Sequence, residues 1–116
     1  MTARILLAAL AIAWLAACAG SAPEGPAGQC AEVVRIYRDL PNPVAVVGQP
    51  VETSEGRLEI EYEGTDAMNL PVKGAASCTF AVGEGGALTL LEAVVEGSPL
   101  DEAALEAIRG ELGERR

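Results

Sequence analysis

The segment RLEIEYEG, at residues 57–64, decides the fold class of this chain. Large apolar side chains alternate in it with acidic ones, in the order Leu58-Glu59-Ile60-Glu61-Tyr62-Glu63. Alternation with a period of two is typical of an antiparallel strand that packs one face on a core and leaves the other in water. The segment therefore predicts a half-buried strand whose three glutamates face solvent.

Two more strands are predicted after this segment. In the first, small or apolar residues occupy every second position: Val72, Gly74, Ala76, Cys78, Phe80 and Val82. The segment Gly83-Glu84-Gly85-Gly86 indicates a turn, and the chain returns from Leu88 to Val95 as the next strand. Before the segment, the β-branched run Val44–Val47 predicts a short edge strand that ends at Gly48 and Pro50.

A helix is predicted on either side of these strands along the chain. The first has apolar residues at three- and four-residue steps, at Cys30, Val33, Val34, Tyr37 and Leu40. Pro41 and Pro43 end it, because the residue before a proline is driven out of helical geometry. Ser98 as N-cap, Pro99 at the first helical position and Asp101 soon after predict the start of the second helix. Its apolar stripe consists of Leu100, Ala104, Leu105, Ile108 and Leu112.

These elements predict an α+β fold in two layers. An N-terminal helix, a three- to four-stranded antiparallel sheet and a C-terminal helix follow in that order, with both helices on one sheet face. We expect a single domain at residues 29–113 and a frayed tail at 114–116. Residues 18–28 are rich in Gly and Pro and predict a flexible tether, and residues 1–17 have the form of a signal peptide.

The predicted signal peptide has a positive start at Arg4 and an uncharged run from Ile5 to Ala17. This run is shorter than the roughly 20 residues of a membrane-spanning helix. It ends in Leu15-Ala16-Ala17-Cys18, which resembles the lipobox of bacterial lipoproteins. The alternative is an ordinary export signal cut elsewhere, for example after Ala22.

The resemblance to lipoproteins has three implications. It implies cleavage before Cys18 and lipid attachment to the sulfur of that residue, which would hold the protein on a membrane. Ala19 follows the cysteine, in the position where Asp would retain a lipoprotein on the inner membrane. The resemblance therefore implies the periplasmic face of the outer membrane.

The net charge argues against one class of partner. After residues 1–17 are removed, seven Lys and Arg remain against seventeen Asp and Glu. An acidic surface of this kind repels the phosphates of nucleic acid and anionic lipid head groups. We therefore expect no nucleic-acid partner.

Two cysteines remain in the predicted domain, Cys30 and Cys78. Export would place them in an oxidising compartment, where a disulfide between them is expected. Both occupy apolar positions of their own periodic patterns, so they should meet in the core. The alternative is a pair of free buried thiols.

Part of the predicted domain resembles a loose group of small, mostly uncharacterised exported bacterial proteins. A helix that runs into a proline turn carries the first part of this resemblance, at Leu40-Pro41-Asn42-Pro43-Val44-Ala45. A strand pair carries the second part, at Tyr62, Asp66, Met68, Asn69, Val72, Gly74, Cys78 and Phe80. The resemblance implies the fold and no activity. The turn Val46-Val47-Gly48-Gln49-Pro50 also resembles that of small outer-membrane lipoproteins that support barrel assembly.

The sequence offers few groups for catalysis. The chain has no histidine, which excludes Ser-His and Cys-His nucleophile pairs. The three strand glutamates recur at steps of ~6.7 Å, a spacing that could flank a glycosidic bond or bind a divalent cation. A solvated strand face is the favoured interpretation. Asp66 and Asn69 could likewise contact a ligand, although hydrogen bonds within the turn are the favoured role.

These observations identify no catalytic, cofactor or metal residue. We expect a membrane-anchored lipoprotein that serves the cell envelope as a binding or structural module, through contact with an envelope protein or cell-wall material. The alternative is a small periplasmic enzyme or ligand carrier that uses the acidic strand face. A concave apolar pocket lined by two or more convergent carboxylates would favour the enzyme, whereas a flat sheet face with one unpaired edge would favour the binding module.

Overall fold

The computed structural model of the protein describes residues 25–54 and 56–114. The predicted signal peptide, the lipidation residue Cys18 and the first part of the predicted tether lie outside the described residues. So do the last two residues of the predicted tail.

A five-stranded antiparallel sheet forms one layer of the domain. Its strands are neighbours in chain order, and they are β1 Ala45–Ser54, β2 Arg57–Thr65, β3 Pro71–Val82, β4 Leu88–Val95 and β5 Ser98–Pro99. A single 3-10 turn, Glu84–Gly86, joins β3 to β4. The predicted α+β class is confirmed, with five strands in place of three to four.

Two helices form the second layer. They are α1 Gly25–Tyr37 and α2 Glu102–Glu114, which pack against the sheet and against each other. The helices and the sheet bury Val33 and Val34 of α1, Ile60 and Tyr62 of β2, and Ile108 of α2. The expected two-layer arrangement places the core between the helices and one face of the sheet.

The first helix begins four residues before the predicted start of the domain at residue 29. Helix α1 begins at Gly25 rather than near Gln29, and Pro26 occupies the first turn, where its missing N–H costs no hydrogen bond. Ala27 packs against the core. The same helix ends at Tyr37, before the predicted end at Leu40, and Tyr37 is 45 % exposed although its spacing predicted a core position.

The edge strand β1 is longer than predicted. It continues past Gly48 and Pro50 to Ser54. Its register with β2 changes between Val47, opposite Glu61, and Val51, opposite Glu59, so the three intervening residues bulge out. Gly48 supplies the positive φ of the bulge, and an edge strand tolerates a proline there.

The start of α2 also differs from the prediction. Ser98 and Pro99 form β5, which pairs with the end of β4, so neither residue caps the helix. Asp101 is the N-cap in their place, because its Oδ1 accepts a hydrogen bond of 2.8 Å from the N–H of Ala104. The helix continues to Glu114, one residue beyond the predicted domain end.

A bulge in β4 keeps the core-facing residues before it and after it on the same face of the sheet. Thr79 pairs with Glu92 and Phe80 pairs with Leu90, so Leu91 is left without a cross-strand partner in the register. Leu90 and Ala93 are consequently both buried, although they are three positions apart, an odd spacing that would place them on opposite faces of a regular strand. The Arg109 side chain of α2 donates to the backbone oxygens of Leu90 at 2.6 Å and Leu91 at 3.4 Å, and so holds the helix on the bulge.

The predicted disulfide between Cys30 and Cys78 is confirmed. It joins α1 to the middle of β3, with the two Cα atoms 5.8 Å apart. Both side chains are fully buried. The bridge therefore links the two layers through the core.

Candidate functional site

The face of the sheet that carries the β2 glutamates is not covered by the helices. Along β2 the glutamates are exposed while Ile60 and Tyr62 on the other face are buried. Lys73 on β3 lies 3.8 Å from Glu63, and Arg57 donates to the hydroxyl of Ser77 at 3.1 Å. The prediction of a solvent-facing acidic strand face is confirmed, and the face extends across β2 and β3.

A depression of about 410 Å³ lies in this uncovered face. Val47, Glu61, Glu63, Lys73 and Ala75 are among its lining residues. Its two carboxylates are in open contact with water. Among the residues that the structure describes, no three His, Cys, Asp or Glu side chains come close enough together to hold a metal ion.

The turn between β2 and β3 places Asp66 and Asn69 in structural roles. The Oδ1 of Asp66 accepts hydrogen bonds from the N–H groups of Met68 at 2.8 Å and Leu70 at 3.0 Å. Asn69 adopts a φ of 65°, in the left-handed region that Asn tolerates. These are the turn-stabilising hydrogen bonds that the sequence favoured over ligand binding.

A polar cluster that the sequence did not predict joins the residue after α1, strand β2 and the residue after β4. The Nη1 atom of Arg38 donates to the hydroxyl of Tyr62 at 2.9 Å and to Oε1 of Glu96 at 3.0 Å. Burial of the ring raises the pKa of the Tyr62 phenol, an effect that the hydrogen bond from Arg38 opposes. The bond to Tyr62 in turn helps to raise the pKa of Arg38.

This cluster explains one glycine of the strand pattern. A Cβ at Gly74 would lie 2.5 Å from Oε1 of Glu96 and 2.7 Å from the hydroxyl of Tyr62. Glycine is therefore required to leave room for the cluster. The hydrogen bonds of Arg38 connect the chain just after α1 to the sheet around Tyr62, which is 1 % exposed. This arrangement indicates that the cluster stabilises the packing of the two layers.

An apolar groove of about 530 Å³ opens at one end of the domain. It lies between the start of α1, the bulged strand β1, and the start of β2, the end of β3 and the start of β4 near Gly56. Its lining residues are Pro26, Ala27, Pro50, Glu52, Gly56, Leu58, Phe80, Val82 and Leu88. Within the described part of the chain, Glu52 is the one ionisable residue that lines the groove, and the groove volume lies within the range of small-molecule sites.

The floor of the groove depends on a tight hairpin between β1 and β2. Gly56 has a φ of +75°, and a Cβ at this position would lie 2.6 Å from the backbone oxygen of Phe80. The Phe80 N–H donates to the Gly56 oxygen at 2.8 Å. The lining residues come from α1 and four strands. Periodicity within any one segment of the sequence therefore could not predict the groove.

Comparisons with known proteins yield no relative for this chain: no family model, no curated protein and no solved structure matches it. Over the described residues, neither helix has the length and apolar character needed to cross a membrane. The fold, the uncovered acidic face and the apolar groove are thus the observations on which a function can be based.

Proposed function

We propose that the protein is a bacterial lipoprotein, held by lipid on Cys18 on the periplasmic face of the outer membrane, that acts by binding another envelope component. The anchor is supported by the sequence Leu15-Ala16-Ala17-Cys18 after an uncharged apolar run. Ala19 after the cysteine supports the outer membrane.

The binding role rests on one observation, the sheet face that the helices leave uncovered. Both helices pack on the opposite face, so a row of exposed glutamates at steps of ~6.7 Å lies open to a partner. Lys73 and Arg57 lie among them. Because complementary charge sets orientation and association rate, we expect a partner with a basic contact surface. An envelope protein is the partner class that we favour.

The enzyme alternative has one supporting observation, the presence of Glu61 and Glu63 in the same depression. Enzymes that use a carboxylate as general acid usually bury it, which shifts its pKa toward the working pH. These two carboxylates are exposed, and Glu52 is the one ionisable residue among the described residues that line the apolar groove. The arrangement therefore supports a binding surface more strongly than a catalytic pair.

The anchor is tested by a Cys18→Ala variant in cells supplied with labelled fatty acid. We expect the wild type to take up the label, and the variant to remain as an unlabelled and uncut precursor. Ser21→Ala, just beyond the lipobox, is the control and should be labelled like the wild type. Equal labelling of the Cys18→Ala variant and the wild type would contradict the lipoprotein assignment.

The binding role is tested by photo-crosslinking in the native envelope. A photoreactive residue replaces Ala75 in the middle of the uncovered face, and a matched variant carries it at Ala107 on the exposed side of α2. We expect one reproducible crosslinked species from position 75 only, which weakens as salt is raised. Identical crosslinks from both positions, or none from position 75, would refute the role of this face.

A further inference from the structure

The apolar groove opens at the end of the domain to which the N-terminal segment is joined. Pro26 and Ala27 line the groove, and Gly25 is the first described residue. Six residues lie between Cys18 and Gly25, and the seven steps along the chain span at most about 25 Å. Lipid attached to Cys18 therefore keeps this end of the domain close to the membrane surface.

The rim of the groove has the chemistry of a surface that contacts lipid chains. Val82 is 71 % exposed, and Pro26 and Pro50 are also open to solvent. The adjoining turn, Glu84–Gly86, has one charged residue and two glycines. Exposed apolar surface around a concave site usually marks a ligand or membrane contact, because leaving it in water is unfavourable.

We propose that this groove binds an acyl chain of a bilayer lipid, so that the domain contacts the membrane surface directly and is not connected to it by the tether alone. The inference rests on the proposed function, since the lipid anchor brings the groove to the bilayer. Glu52 on the lining and the negative net charge favour a zwitterionic membrane. In this orientation the strands stand away from the bilayer and the acidic face stays accessible from the side.

The opposite end of the sheet supplies a matched control. Met68, in the turn between β2 and β3, is 79 % exposed and thus at least as open as Val82. The nine residues of β2 separate the two ends by about 30 Å. A domain that rests on its groove end therefore holds Met68 away from the bilayer.

The experiment uses tryptophan as a reporter of contact with acyl chains. Trp14 is the single tryptophan of the chain and belongs to the predicted signal peptide, so the processed protein has none. The lipid-modified Val82→Trp and Met68→Trp variants are bound to phosphatidylcholine vesicles with plain or brominated acyl chains. Flotation with the vesicles is measured for each sample. Tryptophan fluorescence is then compared between the two lipids.

We expect Val82→Trp to lose most of its fluorescence in brominated vesicles and Met68→Trp to lose almost none. If both variants float but Val82→Trp is quenched no more than Met68→Trp, the inference is overturned while the lipid anchor stands. If neither floats, the anchor and the inference fail together.

A second variant separates entry into the groove from mere closeness to the membrane. Pro26→Asp, added to Val82→Trp, places a carboxylate at the exposed rim of the groove in the first turn of α1, where acidic residues are tolerated. Because a charge in the groove opposes entry of an acyl chain, we expect quenching to be lost. Quenching that survives at full strength would show that the groove is not occupied. Ala103→Asp, at the exposed start of α2, is the control and should leave the quenching unchanged.

Discussion

Loss of the bridge between Cys30 and Cys78 is the perturbation from which we expect the largest fall in stability. The two residues are 48 positions apart, and the loop that they close contains β1, β2 and the proline turn after α1. Closing such a loop restricts the unfolded chain far more than the folded one. In the chain-entropy description, this restriction stabilises the folded state relative to the unfolded state by about 4 kcal/mol at 25 °C.

Replacement of both cysteines by alanine should cost somewhat more than reduction. Both sulfurs are fully buried, so the double variant also loses their packing contacts in the core. Since domains of this size have a total stability of roughly 5–15 kcal/mol, a loss of about 4 kcal/mol removes between about a quarter and about four fifths of it. The single variants Cys30→Ala and Cys78→Ala should lose similar amounts, because either one removes the bridge.

The assay is urea unfolding of the oxidised protein, the reduced protein and the double variant. Free energies of unfolding are extrapolated to water, and thiols are counted in the denatured, unreduced Cys18→Ala protein. We expect no reactive thiol before reduction and two after it. Two thiols before reduction would refute the bridge. A reduced protein within about 1 kcal/mol of the oxidised one would refute the loop-entropy argument.

Three further predictions concern the sheet, the polar cluster and the second helix. Replacement of the three β2 glutamates by glutamine should leave the melting temperature unchanged or slightly raised, because repulsion between the carboxylates falls and the exposed ion pair with Lys73 is worth at most about 1 kcal/mol. If calcium raised the melting temperature of the wild type but not of this variant, the glutamates would instead form a cation site. Above about pH 10 the free energy of unfolding should fall as pH rises, since the unfolded Tyr62 loses its proton before the folded one, and Tyr62→Phe should lessen this fall in urea titrations at each pH. Asp101→Ala removes the N-cap hydrogen bond of α2 and should lower the urea-derived free energy of unfolding by about 1 kcal/mol, whereas Asp101→Asn should retain most of it.

The strand predictions succeeded where one face of a segment meets the core and the other meets water. The alternation around Ile60 identified β2 and the direction of its glutamates, and Leu88–Val95 has the bounds that the sequence predicted. The same argument from apolar periodicity predicted that Cys30 and Cys78 meet in the core, where they form the disulfide. In each case the local pattern and the tertiary packing impose the same constraint.

The errors fall where long-range pairing overrides local signals. Gly48 and Pro50 have the composition of a strand end, yet β1 continues because pairing with β2 resumes beyond its bulge. Ser98 and Pro99 have the composition of a helix start, yet they pair with the end of β4, and the cap moves to Asp101. Backbone hydrogen bonds to a neighbouring strand outweigh the preference of a two- or three-residue motif.

Sequence patterns were sufficient to predict the α+β class, the inward and outward faces of the central strands, and the two cysteines that bridge the layers. These features follow from periodicity, because burial of one face imposes a repeat that can be read within a single segment. The Arg38 cluster with Tyr62 and Glu96, and the apolar groove beside Pro26, could not be predicted from any sequence pattern. Each is assembled from segments far apart in the chain, and only the register of the strands and the packing of α1 bring their side chains within contact distance.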